Sequence, residues 1–260
     1  MARYLEVSFV MRYAIVLSGG TGSRAGFSIP KQYMEIEGKP LLAFTLERLG
    51  QVTDLAGIVI VADPAWQGYI ADKLRMAEAG SFSWEKNSYS GIKLLGFALP
   101  GENRQLSILS GLRFLKQYVA EKEARELTDE DIVLVQDAAR PLTSERLLEA
   151  CFHLTAEEDG RMPVLPMKDT IYLSEDGHSI SGLLDRSKLF AGQAPESFRF
   201  CKYLQANESL LPDRILKING SSEPAMAAGM NIAMIPGEEG NFKITTAGDY
   251  QRFVELIEDK

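Results

Sequence analysis

Residues 13–32 read Tyr-Ala-Ile-Val-Leu-Ser-Gly-Gly-Thr-Gly-Ser-Arg-Ala-Gly-Phe-Ser-Ile-Pro-Lys-Gln, the most informative stretch of the chain. The apolar run at 13–17 is typical of a buried strand, and the glycine-rich loop after it carries Arg24 and leads to Lys31. Glycines let backbone N–H groups approach an anion closely, and the two cations would meet the same charge. The stretch therefore predicts a phosphate-binding loop in a nucleotide-handling enzyme.

The composition limits the class of protein. The chain has 260 residues, of which 45% are hydrophobic and 25% charged, as in ordinary globular domains. A net charge of −8 without a basic stripe argues against a nucleic-acid partner. Cys151 and Cys201 lack metal-ligand spacing, so we expect reduced, buried thiols. No apolar run is long enough to span a membrane, which favours a cytoplasmic protein without a membrane partner.

Strand-like runs alternate with segments of helical periodicity along the chain. The strand-like runs lie at 13–17, 58–62 and 132–136, and the helical segments near 41–50, 66–79, 105–125 and from Ser144. Strands that are apolar without alternation are typical of a parallel sheet covered on both faces. We therefore predict an α/β fold, Rossmann-like and three-layered, with a mainly parallel sheet in one domain over residues 1–260.

Two segments are expected to depart from this alternation. Short strands around an Asp176-Gly177 turn predict a protruding β-hairpin arm at 168–186, an excursion from the domain. Residues 80–99 are the least regular part of the chain, and we expect a long loop there that leads to a short strand.

Charged residues follow several of the predicted strands. In such a sheet, ligands bind outside the carboxyl ends of the strands, so the loop after each strand is the place to inspect. Four of these loops carry the cations Arg24, Lys31, Arg104, Arg140 and Lys243, together with Asp137. Each residue alone is a weak signal, but together they predict one anion-binding site.

The glycine loop has a second interpretation. Gly20-Thr-Gly22-Ser-Arg-Ala25 also fits the dinucleotide fingerprint that ends in alanine. The acidic residue expected about 20 residues further on is missing, because Asp63 lies nearly twice as far along. A P-loop is excluded, since no Lys-Ser/Thr follows the glycines. A triphosphate site is favoured, with an NAD(P)-dependent oxidoreductase as the alternative.

The motifs in these loops resemble one family. They lie at 18–24, 30–32, 101–107, 137–141, 169–170, Arg186 and 241–245. Through them the chain resembles, from residue 14 to about 254, the 2-C-methyl-D-erythritol 4-phosphate cytidylyltransferases of isoprenoid biosynthesis and the similar ribitol-5-phosphate cytidylyltransferases. The resemblance implies a nucleotidyltransferase that moves CMP from CTP to a polyol phosphate and releases pyrophosphate. It favours 2-C-methyl-D-erythritol 4-phosphate as the acceptor over ribitol 5-phosphate.

The resemblance also implies the roles of individual residues. Arg24, Lys31 and Lys243 would be catalytic, and Asp137 would sit beside a Mg²⁺ ion. The nucleotide would be held by Leu17, Ser18, Gly19, Gly20, Gly22, Gly101, Glu102, Arg104, Ser107, Asp137 and Ala138. The acceptor phosphate would be bound by Arg140, Thr170 and Arg186, the last two on an arm that completes the site of a second subunit in a homodimer.

The departures from the family pattern lie on the acceptor side. Ala194 stands where the family usually has threonine, Glu196 where it has glutamine, and Tyr172 where it has lysine. Ser222-Glu223 replaces Thr-Asp, a milder change. These substitutions leave open a further alternative, a nucleotide-binding paralogue without turnover.

Overall fold

The computed structural model describes residues 10–20, 29–74 and 93–258. Its strands are β1 (Arg12–Leu17), β2 (Glu35–Ile36), β3 (Lys39–Pro40), β4 (Leu55–Val61), β5 (Leu94–Ala98), β6 (Ile132–Asp137), β7 (Gly160–Pro166), β8 (Ile171–Leu173), β9 (Gly182–Leu184), β10 (Phe190–Gly192), β11 (Glu196–Arg199) and β12 (Ile232–Pro236). Its helices are α1 (Leu41–Leu49), α2 (Pro64–Lys73), α3 (Arg104–Lys122), α4 (Glu145–Phe152), α5 (Phe200–Glu208), α6 (Glu223–Ala227) and α7 (Ala247–Glu258). No helix in these ranges is long and apolar enough to cross a membrane.

The central sheet has the strand order β10-β7-β11-β6-β1-β4-β5, and β12 pairs with β7. β1 lies parallel to β4 and β6, and β4 lies parallel to β5. This confirms the predicted α/β fold with a mainly parallel sheet. β10 and β11, which the sequence did not indicate, add antiparallel pairs with β7 and β6.

Both faces of the sheet are covered. Because successive residues of a strand point to opposite faces, the residues of β1 divide between two cores. Ala14 and Val16 belong to the core that includes residues of α1 and α4, whereas Tyr13 and Ile15 belong to the core that includes residues of α3 and α5. All four are fully buried, which explains why this strand is apolar without alternation.

Side-chain caps set the starts of three helices. The Asn103 carboxamide accepts a hydrogen bond from Leu106 N at 2.8 Å at the start of α3. Ser144 caps α4 in the same way, as its position in the sequence predicted. Asp63 caps α2, which therefore begins at Pro64, earlier than predicted. The predicted extension of this helix to 79, and most of the loop predicted at 80–99, lie outside the described residues.

The predicted β-hairpin arm is present. β8 and β9 pair antiparallel, with Ile171 opposite Leu184. The Asp176-Gly177 turn lies within the segment 174–181 that joins the strands. Asp176 Oδ1 accepts hydrogen bonds from the backbone N–H groups of residues 178 and 179, and a carboxylate used this way organises a loop wider than two residues.

Candidate active site

A cavity of about 620 Å³ lies at the carboxyl ends of β1 and β6. The predicted site residues that line it are Leu17, Gly19, Gly20, Lys31, Gly101, Glu102, Arg104, Ser107, Asp137, Ala138 and Lys243. Lining residues for which the sequence suggested no separate role are Gln32, Asn103, Ala139 and Thr245. Gly22 and Arg24 lie outside the described residues. Loops that are distant in sequence therefore meet in one cavity, as their positions after strands predicted.

Side chains of the short 3-10 helix Lys31–Tyr33 hold the loop after β1 in place. The Gln32 side chain donates hydrogen bonds to the backbone oxygens of Ser18 and Gly20, each at 2.7 Å. The Tyr33 hydroxyl donates to Ser18 O at 2.8 Å. Ser18 itself is buried and does not line the cavity, and its backbone oxygen accepts a hydrogen bond from both side chains.

Glycine is required where this loop passes the next one. A Cβ atom on Gly19 would lie 2.6 Å from Pro100 Cβ, closer than any real contact. In the second loop, a Cβ on Gly101 would lie 2.9 Å from the backbone carbon of Leu106. Gly19 therefore allows the two loops to pack together, and Gly101 allows the second loop to pack against the first turn of α3.

The second loop is ordered by Ser107 and Asn103. The Ser107 hydroxyl accepts a hydrogen bond from Gly101 N at 3.0 Å and donates to Asn103 O at 2.9 Å. The Asn103 side chain donates to Ile215 O at 2.9 Å, which ties the loop to the domain. Ser107, one of the residues predicted to hold the nucleotide, thus also shapes the loop that lines the cavity.

Three cations surround one carboxylate on the wall of the cavity. Asp137 Oδ2 lies 3.0 Å from Lys243 Nζ and 3.4 Å from Arg140 Nε, and Oδ1 contacts Arg104 Nη1. Burial alone would raise the pKa of Asp137, but the attraction of Arg104, Lys243 and Arg140 holds it well below its usual range. Asp137 is therefore ionised, and the cluster carries net positive charge into the cavity.

A buried asparagine supports this cluster. Asn241 is fully buried, and its side chain accepts from the Thr143 hydroxyl at 2.9 Å and donates to Ala194 O at 2.8 Å. Its backbone oxygen accepts from Arg140 Nη1 at 2.5 Å. Because Lys243 follows two residues later, this network places both cations beside Asp137. The motif at 241–245 contained the signal, although the role of the asparagine was not predicted.

A second cavity, of about 200 Å³, shares Arg104 and Asp137 with the first. Arg140, Ala194 and Glu196 also line it. Burial raises the pKa of Glu196 to about 7, against the attraction of Arg104. The acceptor-side departures at 194 and 196 thus lie next to the cation cluster.

Two of the three predicted acceptor residues lie elsewhere. Thr170 and Arg186 are exposed, flank the β8–β9 hairpin and line neither of these cavities. The Arg186 side chain donates to Lys168 O at 2.8 Å. Within one chain the structure therefore places Arg140 at the site but does not bring Thr170 and Arg186 to it.

The donor atoms for a divalent cation are few. The described residues contain no cluster of three or more histidine, cysteine, aspartate or glutamate side chains that could hold a metal. Mg²⁺ is commonly held by one or two carboxylates together with substrate phosphates. The Asp137 carboxylate lines the larger cavity, so these residues fit a Mg²⁺ ion that takes most of its ligands from a bound polyphosphate.

One family model covers nearly the whole chain. The model of IspD, 2-C-methyl-D-erythritol 4-phosphate cytidylyltransferase, matches residues 12–257. The bifunctional enzyme IspD/IspF of Bradyrhizobium diazoefficiens is 31% identical over 242 residues, which are 93% of this chain and 54% of that protein. The chain thus spans about half the length of this relative. The ribitol-5-phosphate cytidylyltransferase of Lactiplantibacillus plantarum is 25% identical over 96% of this chain and 100% of that protein.

Solved structures show the same fold. The 4-diphosphocytidyl-2C-methyl-D-erythritol synthase of Anaerococcus prevotii superimposes with a TM-score of 0.73 at 20% identity, covering 96% of this chain and 99% of that one. The bifunctional IspDF of Campylobacter jejuni gives a TM-score of 0.68 at 22% identity, covering 93% of this chain and 54% of that one. At these identities the likeness supports the architecture alone.

Proposed function

The chain belongs to the 2-C-methyl-D-erythritol 4-phosphate cytidylyltransferase family of nucleotidyltransferases, and on that premise we propose that it transfers CMP from CTP to a polyol phosphate and releases pyrophosphate. The observation that carries the proposal is the convergence of Lys31, Arg104 and Lys243 with Asp137 in one cavity. A cavity with several fixed cations suits a polyphosphate. The oxidoreductase alternative is not favoured, because the family match and the curated relatives point to cytidylyl transfer.

The acceptor itself supplies the nucleophile. A phosphomonoester has a second pKa of about 6, so its oxygen is largely ionised at neutral pH and needs no general base. In the proposed step this oxygen forms a bond to the α-phosphorus of CTP. The bond between the α-phosphorus and the oxygen that bridges to the β-phosphorus breaks, and pyrophosphate leaves with that electron pair.

The protein positions the two polyanions and offsets their charge. Lys31 and Lys243 line the cavity with fixed positive charge, and we assign Arg24 the same role. Asp137 would be the protein ligand of a Mg²⁺ ion, which when bound would neutralise charge on the phosphates. The loops around Gly19 and Gly101 would hold the nucleoside.

We propose 2-C-methyl-D-erythritol 4-phosphate as the first acceptor to test and ribitol 5-phosphate as the second. The relative with IspD in its name is 31% identical to this chain, and the ribitol-5-phosphate cytidylyltransferase is 25% identical. Because Thr170 and Arg186 lie away from the cavities, we propose that they complete the acceptor site of a partner in a homodimer. A cytoplasmic location stays a prediction.

Two measurements test the proposal. Ligands that bind only the folded state raise the melting temperature, so CTP with Mg²⁺ should raise it and NAD should not. Pyrophosphate release should then require CTP and one polyol phosphate from a panel that includes both named acceptors. Stabilisation by NAD alone would overturn the nucleotide assignment. Stabilisation by CTP without release with any acceptor would identify a nucleotide-binding paralogue.

A further inference from the structure

Glu196 has an unused hydrogen-bonding atom. It begins β11, is 7% exposed and lines the smaller cavity. Its Oε2 atom is buried and has no hydrogen-bond partner among the described residues. Buried polar atoms in native proteins nearly always have a hydrogen-bond partner, because leaving one without a partner destabilises the fold. The Ser221 hydroxyl hydrogen-bonds the same carboxyl group. The Oε2 atom is therefore available to a group outside the described residues.

The two arginines near Glu196, Arg104 and Arg140, are already bonded to other groups. The Arg104 guanidinium contacts Asp137 and donates to the Ser221 hydroxyl at 3.1 Å. The Arg140 guanidinium is engaged with Asp137 and with Asn241 O. Neither guanidinium group forms an ion pair with the Glu196 carboxylate. The carboxylate is attracted by both guanidinium groups but bonded to neither.

The rest of the cavity wall narrows the class of ligand. The Gln193 side chain is already hydrogen-bonded to the backbone of residue 238. It donates to the oxygen of that residue at 2.9 Å and accepts from its N–H at 3.0 Å. Ala194 offers no polar side-chain atom. Glu196 and the Ser222 hydroxyl thus remain to contact a ligand in about 200 Å³, room for a few carbon atoms and their hydroxyl groups.

We propose that Glu196 selects the acceptor by accepting a hydrogen bond from a hydroxyl group on its carbon chain. This inference rests on the proposed cytidylyl transfer and deepens it. The acceptor phosphate would be repelled by a carboxylate, whereas the cation cluster shared by the two cavities attracts it. The phosphate would therefore lie at the junction of the cavities and the carbon chain beside Glu196, so that an acceptor with no hydroxyl at that position is rejected.

The expected change in affinity follows from the burial of the Glu196 oxygen that would accept the hydrogen bond. A site built to bond a substrate hydroxyl rejects the analogue that lacks it, because its own polar group is then left unpaired. A hydrogen bond to a charged group contributes about 1.5–3 kcal/mol, which is roughly a tenfold to hundredfold change in affinity. That change should appear in acceptor binding and leave CTP binding unaltered.

The test uses the full chain saturated with an α,β-methylene analogue of CTP and Mg²⁺, so that binding is measured without turnover. Dissociation constants are compared for 2-C-methyl-D-erythritol 4-phosphate, ribitol 5-phosphate and deoxy analogues that each lack one hydroxyl. The variants are Glu196→Gln, which keeps the shape and one acceptor oxygen, and Glu196→Leu, which removes hydrogen bonding. Glu121→Gln, on an exposed turn of α3, is the matched control.

We expect one hydroxyl whose removal weakens binding at least about tenfold in the wild type and in Glu121→Gln, but hardly at all in Glu196→Leu. At pH 8, where Glu196 is ionised, Glu196→Gln should show an intermediate loss, because a charge-assisted bond is stronger than a neutral one. Equal losses in the wild type and Glu196→Leu for every hydroxyl would overturn the inference, as would CTP binding with no polyol phosphate bound. Pyrophosphate release is assayed in parallel. If pyrophosphate release is absent but the loss of affinity on removing the hydroxyl still depends on Glu196, the proposed function alone fails.

Discussion

Lys31 is the cation whose removal should most directly lower turnover. It lies in the short 3-10 helix Lys31–Tyr33 and lines the larger cavity. We expect Lys31→Ala to lower kcat by at least about a hundredfold, because a fixed charge at a transferring phosphoryl group is lost. Pyrophosphate release measures the effect, and Lys116→Ala on the exposed face of α3 is the control. A Lys31→Ala variant with near-normal release would remove this residue from the mechanism.

Glu196 should make the stability of the protein depend on pH. Its pKa is about 7 in the folded protein, against 4.5 for the free side chain. Between these values the unfolded chain loses a proton that the folded protein keeps, so the free energy of unfolding falls as the pH rises towards 7. Glu196→Gln removes this loss. We expect the variant to gain on the order of 3 kcal/mol relative to the wild type between pH 4.5 and pH 8.

Urea unfolding of both proteins at pH 4.5 and pH 8 measures this difference. Other titrating groups, such as Asp137, are present in both proteins and cancel in the comparison. Asp137 acts in the opposite direction and at lower pH, because its depressed pKa costs stability only as acid protonates it. A stability difference that is the same at the two pH values would contradict the assignment to Glu196.

The packing of the loop after β1 against the next loop should depend on one glycine. Gly19→Ala places a methyl group 2.6 Å from Pro100 Cβ, whereas Gly20→Ala has nothing within 4 Å. We expect Gly19→Ala to lower the free energy of unfolding by about 2 kcal/mol through overpacking. Gly20→Ala should leave it unchanged or slightly raised. Thermal unfolding without nucleotide measures this, and equal melting temperatures for the two variants would contradict the packing described above.

The elements with a clear sequence signal were those with long buried runs or side-chain caps. β1 and β6 were predictable because each contains a continuous apolar run, at 13–17 and 132–135, and α4 because Ser144 stands at its start. β11 has only four residues and buries Glu196 and Arg199, which no hydrophobic pattern can indicate. A local hydrophobic pattern indicates which side chains a strand buries, but it does not indicate which strand pairs with it.

The site was predictable in its location and less so in its contacts. Loops after parallel strands meet at one edge, so Lys31, Asp137 and Lys243 could be placed together from the sequence. That Ser107 bonds its own loop and that Asn241 is fully buried depend on tertiary packing, and no spacing encodes them. The positions of Thr170 and Arg186, away from the cavities of their own chain, likewise depend on the path of the arm.

The arm exposes large apolar side chains that suit an interface between subunits. Tyr172 is 57% exposed, Ile180 69% and Leu183 66%. We expect a homodimer, and we expect Leu183→Asp to weaken it at least about tenfold, because the buried leucine contributes about 1.5–3 kcal/mol. Light scattering over a dilution series measures the mass, with Leu216→Asp, 47% exposed outside the arm, as the control. A monomeric wild type, or a dimer indifferent to Leu183→Asp, would contradict this.

The ion cluster around Asp137 bears on how the whole molecule receives an anionic substrate. Without a ligand, three side chains from distant parts of the chain would repel one another, and the carboxylate acts as their counter-ion. A phosphate that arrives meets a preorganised set of donors, and little conformational entropy is lost in assembling it. Lys243, 38% exposed at its side chain, is the most accessible of the three, and we expect it to be the first to bond an arriving phosphate. Under the proposed function, Asp137 would hold the three cations in position until a substrate phosphate takes its place as their partner.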